Sequence, residues 1–268
     1  MNNIHVSPGK NNVGAYLNEL NLNKLHQTAT QKIRDILDTY GVIFIKNQSL
    51  STEKYQNFAK SIGELVEYPR LKGLKDYPFI NVLERKPTDK NIAFGGSYLH
   101  QDTSYLAKNR PRYTMLMGIE IPKGQGNTIF SSGFNAYKKL PDNIKENIKD
   151  AIGIFSSAGP ISKTRRELEA RSGVKSAKVL EAEHPIVHVV NGQKSLYISP
   201  GHLMKIIING KEDEDLKKYL INHVNKEEFI FSYEWEKGDV VVWDNLTVMH
   251  KASEIKNCTR IMHRITIR

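Results

Sequence analysis

The 268-residue chain contains a single cysteine, Cys258. One thiol excludes an intrachain disulfide and a cysteine-rich zinc site. No apolar run approaches the length of a membrane-spanning helix, and the opening "MNNIHVSPGKNN" lacks the apolar segment of a secretory signal. The default expectation is therefore a cytoplasmic protein with no membrane partner. Acidic residues are also scarce: 29 against 39 lysines and arginines, a net charge of +10. Such a surplus invites a nucleic-acid reading, but the basic residues are scattered and no nucleic-acid motif accompanies them. The densest basic stretch, "SKTRRELEARSGVKSAK" (162–178), is diluted by Glu167 and Glu169. Charge alone speaks to solubility and nonspecific attraction, so no nucleic-acid partner is expected, while a small anionic ligand fits the surplus. Repeats and low-complexity linkers are absent too, which points to one domain over 1–268.

Helical spacing is concentrated near the N-terminus. In "LNKLHQTATQKIRDILDTYG", Leu25, Ala29, Ile33, Ile36 and Leu37 recur at helical intervals, and Gly41 can end the helix. "VIFI" follows as a short buried strand. Ser51 is placed to cap a second helix carrying Tyr55, Phe58, Ala59 and Ile62 on one face. Helices within about 20–62 are thus expected to brace a core. Two more are expected, one starting at Pro141 with Ile144 and Ile148 inward, one from about Asp213 to Val224. Otherwise the chain reads as short strands at 79–83, 113–120, 127–132, 185–190, 195–199, 228–235, 239–244 and 260–268. The expected class is mainly β with flanking helices (α+β), a sandwich or jelly-roll barrel. The unpatterned run at about 156–180 is a candidate lid over its mouth.

Within this frame "LHQDTSY" (99–105) places His100 and Asp102 one residue apart, hence on one face if extended. His-x-Asp alone is a weak signal. Near the C-terminus, "GDVVVWDNLTVMHKAS" adds His250 after a buried strand with Trp243, and "RIMHRITIR" follows ten residues later. As a strand, the latter puts Arg260, Met262, Arg264 and Thr266 on one face and Ile261, His263, Ile265 and Ile267 on the other. The isoleucine face is for packing. Arg260 and Arg264 lie about 13 Å apart along the strand; facing a barrel interior they need anions, and guanidinium binds carboxylate in a bidentate fork. Two histidines and a carboxylate form the facial triad of non-haem Fe(II) oxygenases, whereas a structural zinc site wants a fourth protein ligand.

Six segments, "GELVEYP" (63–69), "HQDTSYL" (100–106), "IPKGQGNTIFSS" (121–132), "AEHPIVH" (182–188), "WDNLTVMH" (243–250) and "RIMHRITI" (260–267), resemble in order and spacing the taurine / 2,4-dichlorophenoxyacetate dioxygenase family of Fe(II)- and 2-oxoglutarate-dependent oxygenases. The resemblance covers most of the chain from about residue 40 and implies a double-stranded β-helix (jelly-roll, cupin-like) core. It implies Fe(II) on His100, Asp102 and His250, with 2-oxoglutarate and O2 as cosubstrates. Thr128, in a turn the family usually writes Gly-Gly-Asp-Thr and this chain writes Gln125-Gly126-Asn127-Thr128, would hydrogen-bond the distal carboxylate of 2-oxoglutarate, and Arg260 would pair with it. Trp243 would line the metal pocket, and Arg264 would face the substrate's anionic group.

The substrate side departs from the taurine pattern. Tyr68 stands where taurine-cleaving members have a histidine, Gly96 where they have an asparagine, and Leu99 where they usually have a tryptophan. Tyr68 and Gly96 are thus candidate substrate-binding positions, and taurine itself is an unsuitable expectation. The carboxylate of Asp102, which halogenating relatives lack, favours hydroxylation or the cleavage that follows it. The leading expectation is an oxygenase acting on a small sulfonate, carboxylate or phosphonate. Two alternatives stand beside it: a biosynthetic oxygenase of an amino-acid derivative, with Tyr68, Tyr98 and Leu71 shaping a larger pocket, and a non-catalytic basic binding protein. The sequence leaves a homo-oligomer open.

Overall fold

A computed structural model of the protein describes residues 4–26, 28–68, 71–89, 98–108, 110–162 and 178–268. Gly96 and most of the expected lid at 156–180 lie outside the described residues. The architecture is mainly β with few helices. The largest sheet runs, edge to edge, His5–Pro8, Ala15–Asn18, Val42–Ile45, Val240–Asp244, Tyr113–Glu120, Arg260–Ile267, Tyr77–Arg85 and Gly73–Leu74, with Leu65–Val66 also paired to the end of Arg260–Ile267. A three-stranded sheet is formed by Ile230–Tyr233, Thr128–Ser132 and Val248–Ala252, all antiparallel. Glu181–Pro185, Ile152–Ser156, Leu203–Ile208 and Lys211–Glu212 make a further four-stranded sheet, and Val187–Val190 pairs with Gln193–Leu196.

The two faces of the large sheet are buried against different layers. Helices Ala29–Tyr40 and Thr52–Ile62 cover one face: Ile33, Leu37, Tyr55 and Phe58 join Ile43, Met115, Val242, Ile265 and Ile267 in one apolar cluster. Ser51 caps the second helix by accepting the Lys54 N–H. The fully buried Tyr55 hydroxyl donates to Met115 O (3.1 Å) and His263 O (2.9 Å), tying that helix to two adjacent strands. The other face carries Phe44, Leu116, Val241, Trp243 and Met262 and packs on Phe130, Tyr233 and Val248 of the three-stranded sheet. A third cluster gathers around helix Glu214–Val224, whose N-cap Asp213 accepts the Leu216 N–H at 2.9 Å.

Several expectations shift. The first helix starts at Ala29, because Asn21 accepts the Asn23 N–H to close a separate 3-10 turn and Leu22 N–H is held by Gln48 Oε1 at 2.9 Å. The strand expected over 185–190 breaks at the fully buried Ile186, whose N–H bonds Ala151 O and whose carbonyl accepts Tyr197 N–H. Helix Gly133–Lys138 and strands Ile152–Ser156 and Leu203–Ile208 lie outside the expected set. In Ile152–Ser156 the Phe155 ring occupies the space of a β-carbon at Gly153 (2.7 Å).

Glu181–Pro185 of the four-stranded sheet carries the buried His184, and Val187–Val190 of the two-stranded sheet carries the half-buried His188. His184 Nε2 contacts Ser104 O at 2.9 Å, and its ring lies among Phe155, Tyr197 and, through Tyr197, His188. Burial, then the Arg110 charge, brings both imidazoles down to about 4. An unfolded chain binds these protons near 6.5, so stability is undiminished above that pH and falls as pH drops toward 4. Urea midpoints measured from pH 7.5 to 4.5 should show this acid loss, and the double variant His184→Gln/His188→Gln should flatten it; an unchanged pH slope would assign the loss to other groups.

Candidate active site

His100 and His250 come together through the backbone. They form an isolated antiparallel bridge in which His100 N–H donates to His250 O (3.0 Å) and His250 N–H to His100 O (2.8 Å). Residues that exchange both hydrogen bonds send their side chains off one face, and the two ring centroids are 4.3 Å apart. Asp102, two residues on, sets its Oδ1 3.9 Å from His100 Nε2 and its Oδ2 3.9 Å from His250 Nε2. These contacts are too long for hydrogen bonds, yet one donor atom from each residue lies within 4.8 Å of the others.

Protonation suits the three residues to a cation. Burial depresses the His100 imidazole and brings His250 down to about 3, so both rings are neutral at ordinary pH. His100 Nδ1–H donates to Tyr98 O (3.1 Å), in the tautomer that leaves the Nε2 lone pair toward Asp102. Burial alone would raise the Asp102 carboxyl, but Arg264, the two histidines and the Thr114 hydroxyl hold it well below the usual carboxylate range. Two neutral imidazoles and one ionised carboxylate, all buried, are ready to ligate without losing a proton.

Asp102 is itself held from several directions. Thr114 Oγ1 donates to its Oδ2 at 2.7 Å, and Arg264 Nη2 lies 3.0 Å from the same oxygen. Asn245 Oδ1 accepts both the Asp102 N–H (3.2 Å) and Trp243 Nε1–H (3.1 Å), while its Nδ2 donates to Thr114 Oγ1 (3.0 Å). Trp243 packs its ring 4.5 Å from that of His250. Thr103, next in the chain, has φ +51°, a strained conformation for a β-branched residue. Ser199, at φ +44°, holds Gln101 N–H through its hydroxyl at 3.0 Å. Two off-minimum residues thus lie against the ligand loop, as is common where geometry is imposed by function.

The triad opens on one cavity, also lined by Tyr68, Arg85, Thr128, His202, Trp243, Arg260 and Arg264. Arg260 is buried, makes no ion pair among the described residues, and its Nε lacks a hydrogen-bond partner; burial brings its guanidinium down to about 10. It leans on Gly126, where a β-carbon would come within 2.8 Å of Arg260 Cδ and where φ is +75°. Glycine is required there twice over. Thr128, two residues on, accepts Trp235 Nε1–H at 2.9 Å. Arg264 packs 4.3 Å above the half-buried Tyr68 ring, with Asp102 on its other side. Leu71 and Tyr98 do not line this cavity: Leu71 is buried beside Asn81, and Tyr98 is 47% exposed.

Thr114, Asn245, His202 and Arg85 were not among the expected site residues. Alternation along Tyr113–Glu120 and Tyr77–Arg85 offers a signal for Thr114 and Arg85, because it shows which side chains share the inner face. Asn245 and His202 sit in turns brought close only by the tertiary fold, and nothing local marks them.

Two imidazoles and a carboxylate facing a cation-walled cavity are the donor set of non-haem Fe(II) oxygenases, in which the remaining coordination positions stay open to cosubstrate and oxygen. Comparison with known proteins narrows the class. A family model for "Taurine catabolism dioxygenase TauD, TfdA family" matches residues 5–266, and the chain belongs to that family. An alkylsulfatase of Acinetobacter baylyi is 27% identical over 95% of this chain and 82% of its own length. An alpha-ketoglutarate-dependent sulfate ester dioxygenase of Pseudomonas putida is 25% identical over 98% and 89%. The crystal structure of a taurine dioxygenase from Burkholderia xenovorans superposes with a TM-score of 0.80 at 26% identity, covering 98% of this chain and 89% of that one. The protein is a 2-oxoglutarate-dependent dioxygenase, and its cofactor and cosubstrates are Fe(II), 2-oxoglutarate and O2.

The hydrogen bonds of Thr114 generate a prediction. Thr114→Val keeps the volume but removes the hydroxyl that orients Asp102, so Mn(II) or Co(II) affinity, read by calorimetry, should fall about 10- to 100-fold. Unchanged affinity would show that Arg264 and Asn245 orient the carboxylate without it.

Proposed function

We propose that His100, Asp102 and His250 hold the Fe(II), that Thr128 and Arg260 bind the distal carboxylate of 2-oxoglutarate, and that the enzyme oxidises a small alkyl sulfate ester or sulfonate at the carbon bearing the anionic group. The observation that carries this reading is the pairing, in one cavity, of a ligation-ready triad with a buried arginine that has no counterion among the described residues. A buried guanidinium is costly unless an anion meets it, and the far carboxylate of a dicarboxylic 2-oxo acid supplies one at a distance from the metal end.

When bound, Fe(II) couples oxidative decarboxylation of 2-oxoglutarate by O2 to oxidation of the substrate, giving succinate and carbon dioxide. The protein's part is positioning. Arg260 and Thr128 fix the cosubstrate by its far end, Gly126 leaving room for the arginine stem. Thr114 and Asn245 hold Asp102 in one orientation. Trp243 and Phe130 pack beside His250 and keep water from that side of the site. Arg264, engaged by Asp102 and Tyr68, faces the substrate side of the cavity, where it serves an anionic head group, and Tyr68 shapes the same side. Oxidation of the ester carbon yields a hemiacetal-like product that releases sulfate and an aldehyde, whereas a sulfonate releases sulfite.

The same reading takes the two larger sheets as a double-stranded β-helix, residues 1–268 as one domain, and the cytoplasm as its location. It requires a small-molecule substrate but neither nucleic acid nor a membrane; a homo-oligomer is compatible with it.

A panel of alkyl sulfates, alkanesulfonates, aryloxyacetates and amino acids, assayed with Fe(II), 2-oxoglutarate and ascorbate, tests the proposal. Succinate should form in step with sulfate from an alkyl sulfate or sulfite from a sulfonate, and His100→Ala should abolish both. Coupled succinate from aryloxyacetates or amino acids alone would overturn the substrate class. No succinate from any compound would overturn the metal and cosubstrate assignment.

A further inference from the structure

Residues 253–259 form a strap that joins the strand of His250 to the strand of Arg260. It leaves the three-stranded sheet where Ala252 pairs with Thr128, and it ends on Arg260. The two residues assigned to the distal carboxylate of 2-oxoglutarate therefore stand at its two ends. Three contacts sew the strap to the turn that precedes Thr128. Ser253 N–H donates to Asn127 O at 2.8 Å. Gln125 Oε1 accepts Lys256 N–H at 2.9 Å, and Gln125 Nε2 donates to Cys258 Sγ at 3.4 Å. Ile255 is the buried side chain of the strap, and it lines the cavity of the triad. A β-carbon at Gly126 would meet Arg260 Cδ at 2.8 Å, Arg260 Nε at 3.0 Å and Ile255 Cδ1 at 3.2 Å. The isoleucine tip and the arginine stem thus share the space over that glycine.

We propose that Gln125 is a positioning residue for 2-oxoglutarate: by clamping the strap it seats Ile255 against the Arg260 stem and so aims the guanidinium at the distal carboxylate. This rests on the preceding assignment of Arg260 and Thr128. Arg260 makes no ion pair among the described residues, so packing has to hold its long stem in place. A stem left free keeps rotamers that binding must remove, and fixing it beforehand spares that cost. The residue type suits the clamp. A neutral amide accepts from a backbone N–H and donates to a thiol at once, whereas a carboxylate can only accept. Glycine, which the family usually has at this place in the turn, offers neither atom.

Calorimetric titration of the Mn(II)-loaded enzyme with 2-oxoglutarate and with 2-oxobutanoate, which lacks the distal carboxylate, tests this. Gln125→Met keeps the length of the side chain and removes both bonds. It should weaken 2-oxoglutarate about 3- to 10-fold while changing 2-oxobutanoate and Mn(II) by less than about twofold. Gln125→Glu, which keeps the acceptor for Lys256 N–H, should fall between wild type and Gln125→Met; it also serves if Gln125→Met does not fold. Ile255→Ala should weaken 2-oxoglutarate selectively as well, and the double variant should lose less than the product of the two single losses, because both act through one contact. Unchanged binding of 2-oxoglutarate, or equal losses for both acids, would overturn the proposal, the latter by making Gln125 merely structural. Fully independent losses for Gln125→Met and Ile255→Ala would overturn the route through the strap. A wild-type enzyme with no preference for 2-oxoglutarate would instead overturn the Arg260 assignment beneath it.

Discussion

The site depends on one pair of reciprocal hydrogen bonds. The backbone bridge between His100 and His250 joins two segments 150 residues apart in sequence and makes the two imidazoles neighbours before any metal is present. It needs support at both ends. His250 lies in Val248–Ala252, an edge strand of the three-stranded sheet, paired to Thr128–Ser132. His100 lies in a short irregular segment whose backbone is caught by Gly201 N–H on Leu99 O, by Ser199 on Gln101 N–H and by Asn245 on Asp102 N–H. A sheet edge thus serves as a template for a loop, and pairing of this kind fixes side-chain direction. The ligand geometry is a consequence of sheet register.

Charge explains the next layer. A buried carboxylate between two neutral imidazoles would drift toward its protonated form, which cannot ligate as an anion. Arg264 prevents this from 3.0 Å, and the arginine is in turn stacked on Tyr68. Arg264 has two faces of function as a result: one stabilises a candidate metal ligand, and the other is turned to the cavity. Arg260, four residues earlier on the same strand face, has no such partner among the described residues. The strand therefore presents two guanidiniums about 13 Å apart, one ion-paired to Asp102 and one without an ion pair among the described residues, each with buried nitrogen that no hydrogen bond meets.

How far the site was legible in the sequence follows from the range of the interactions. Arg260–Ile267 can be read closely because its alternation is strict: Ile265 and Ile267 pack with the helices and the arginines line the cavity. Tyr113–Glu120 and Val240–Asp244 have likewise the extents their apolar patterns suggest. The first helix begins later than the fit of Leu25 to the helical period suggests, because Gln48, distant in sequence, pins the preceding turn. Ile186 split a strand for the same kind of reason. Around the site, residue types that ligate metals are rare enough to stand out once three fall at family spacing, but Thr114, Asn245 and Ser199 are ordinary turn and strand residues. Ser199 and Asn245 act through hydrogen bonds spanning about a hundred residues or more, which no local pattern encodes, and Thr114, whose inward face the strand alternation does show, meets Asp102 only because the loop between them folds back.

The asymmetry between the two halves of the cavity follows from the same cause. Thr128, His250 and Arg260 stand on paired strands, where register sets the face each side chain takes, while His100 and Asp102 stand in a segment held to them by the bridge. Tyr68 and His202, which line the same cavity, sit in connections, and connections can change sequence without disturbing the sheets.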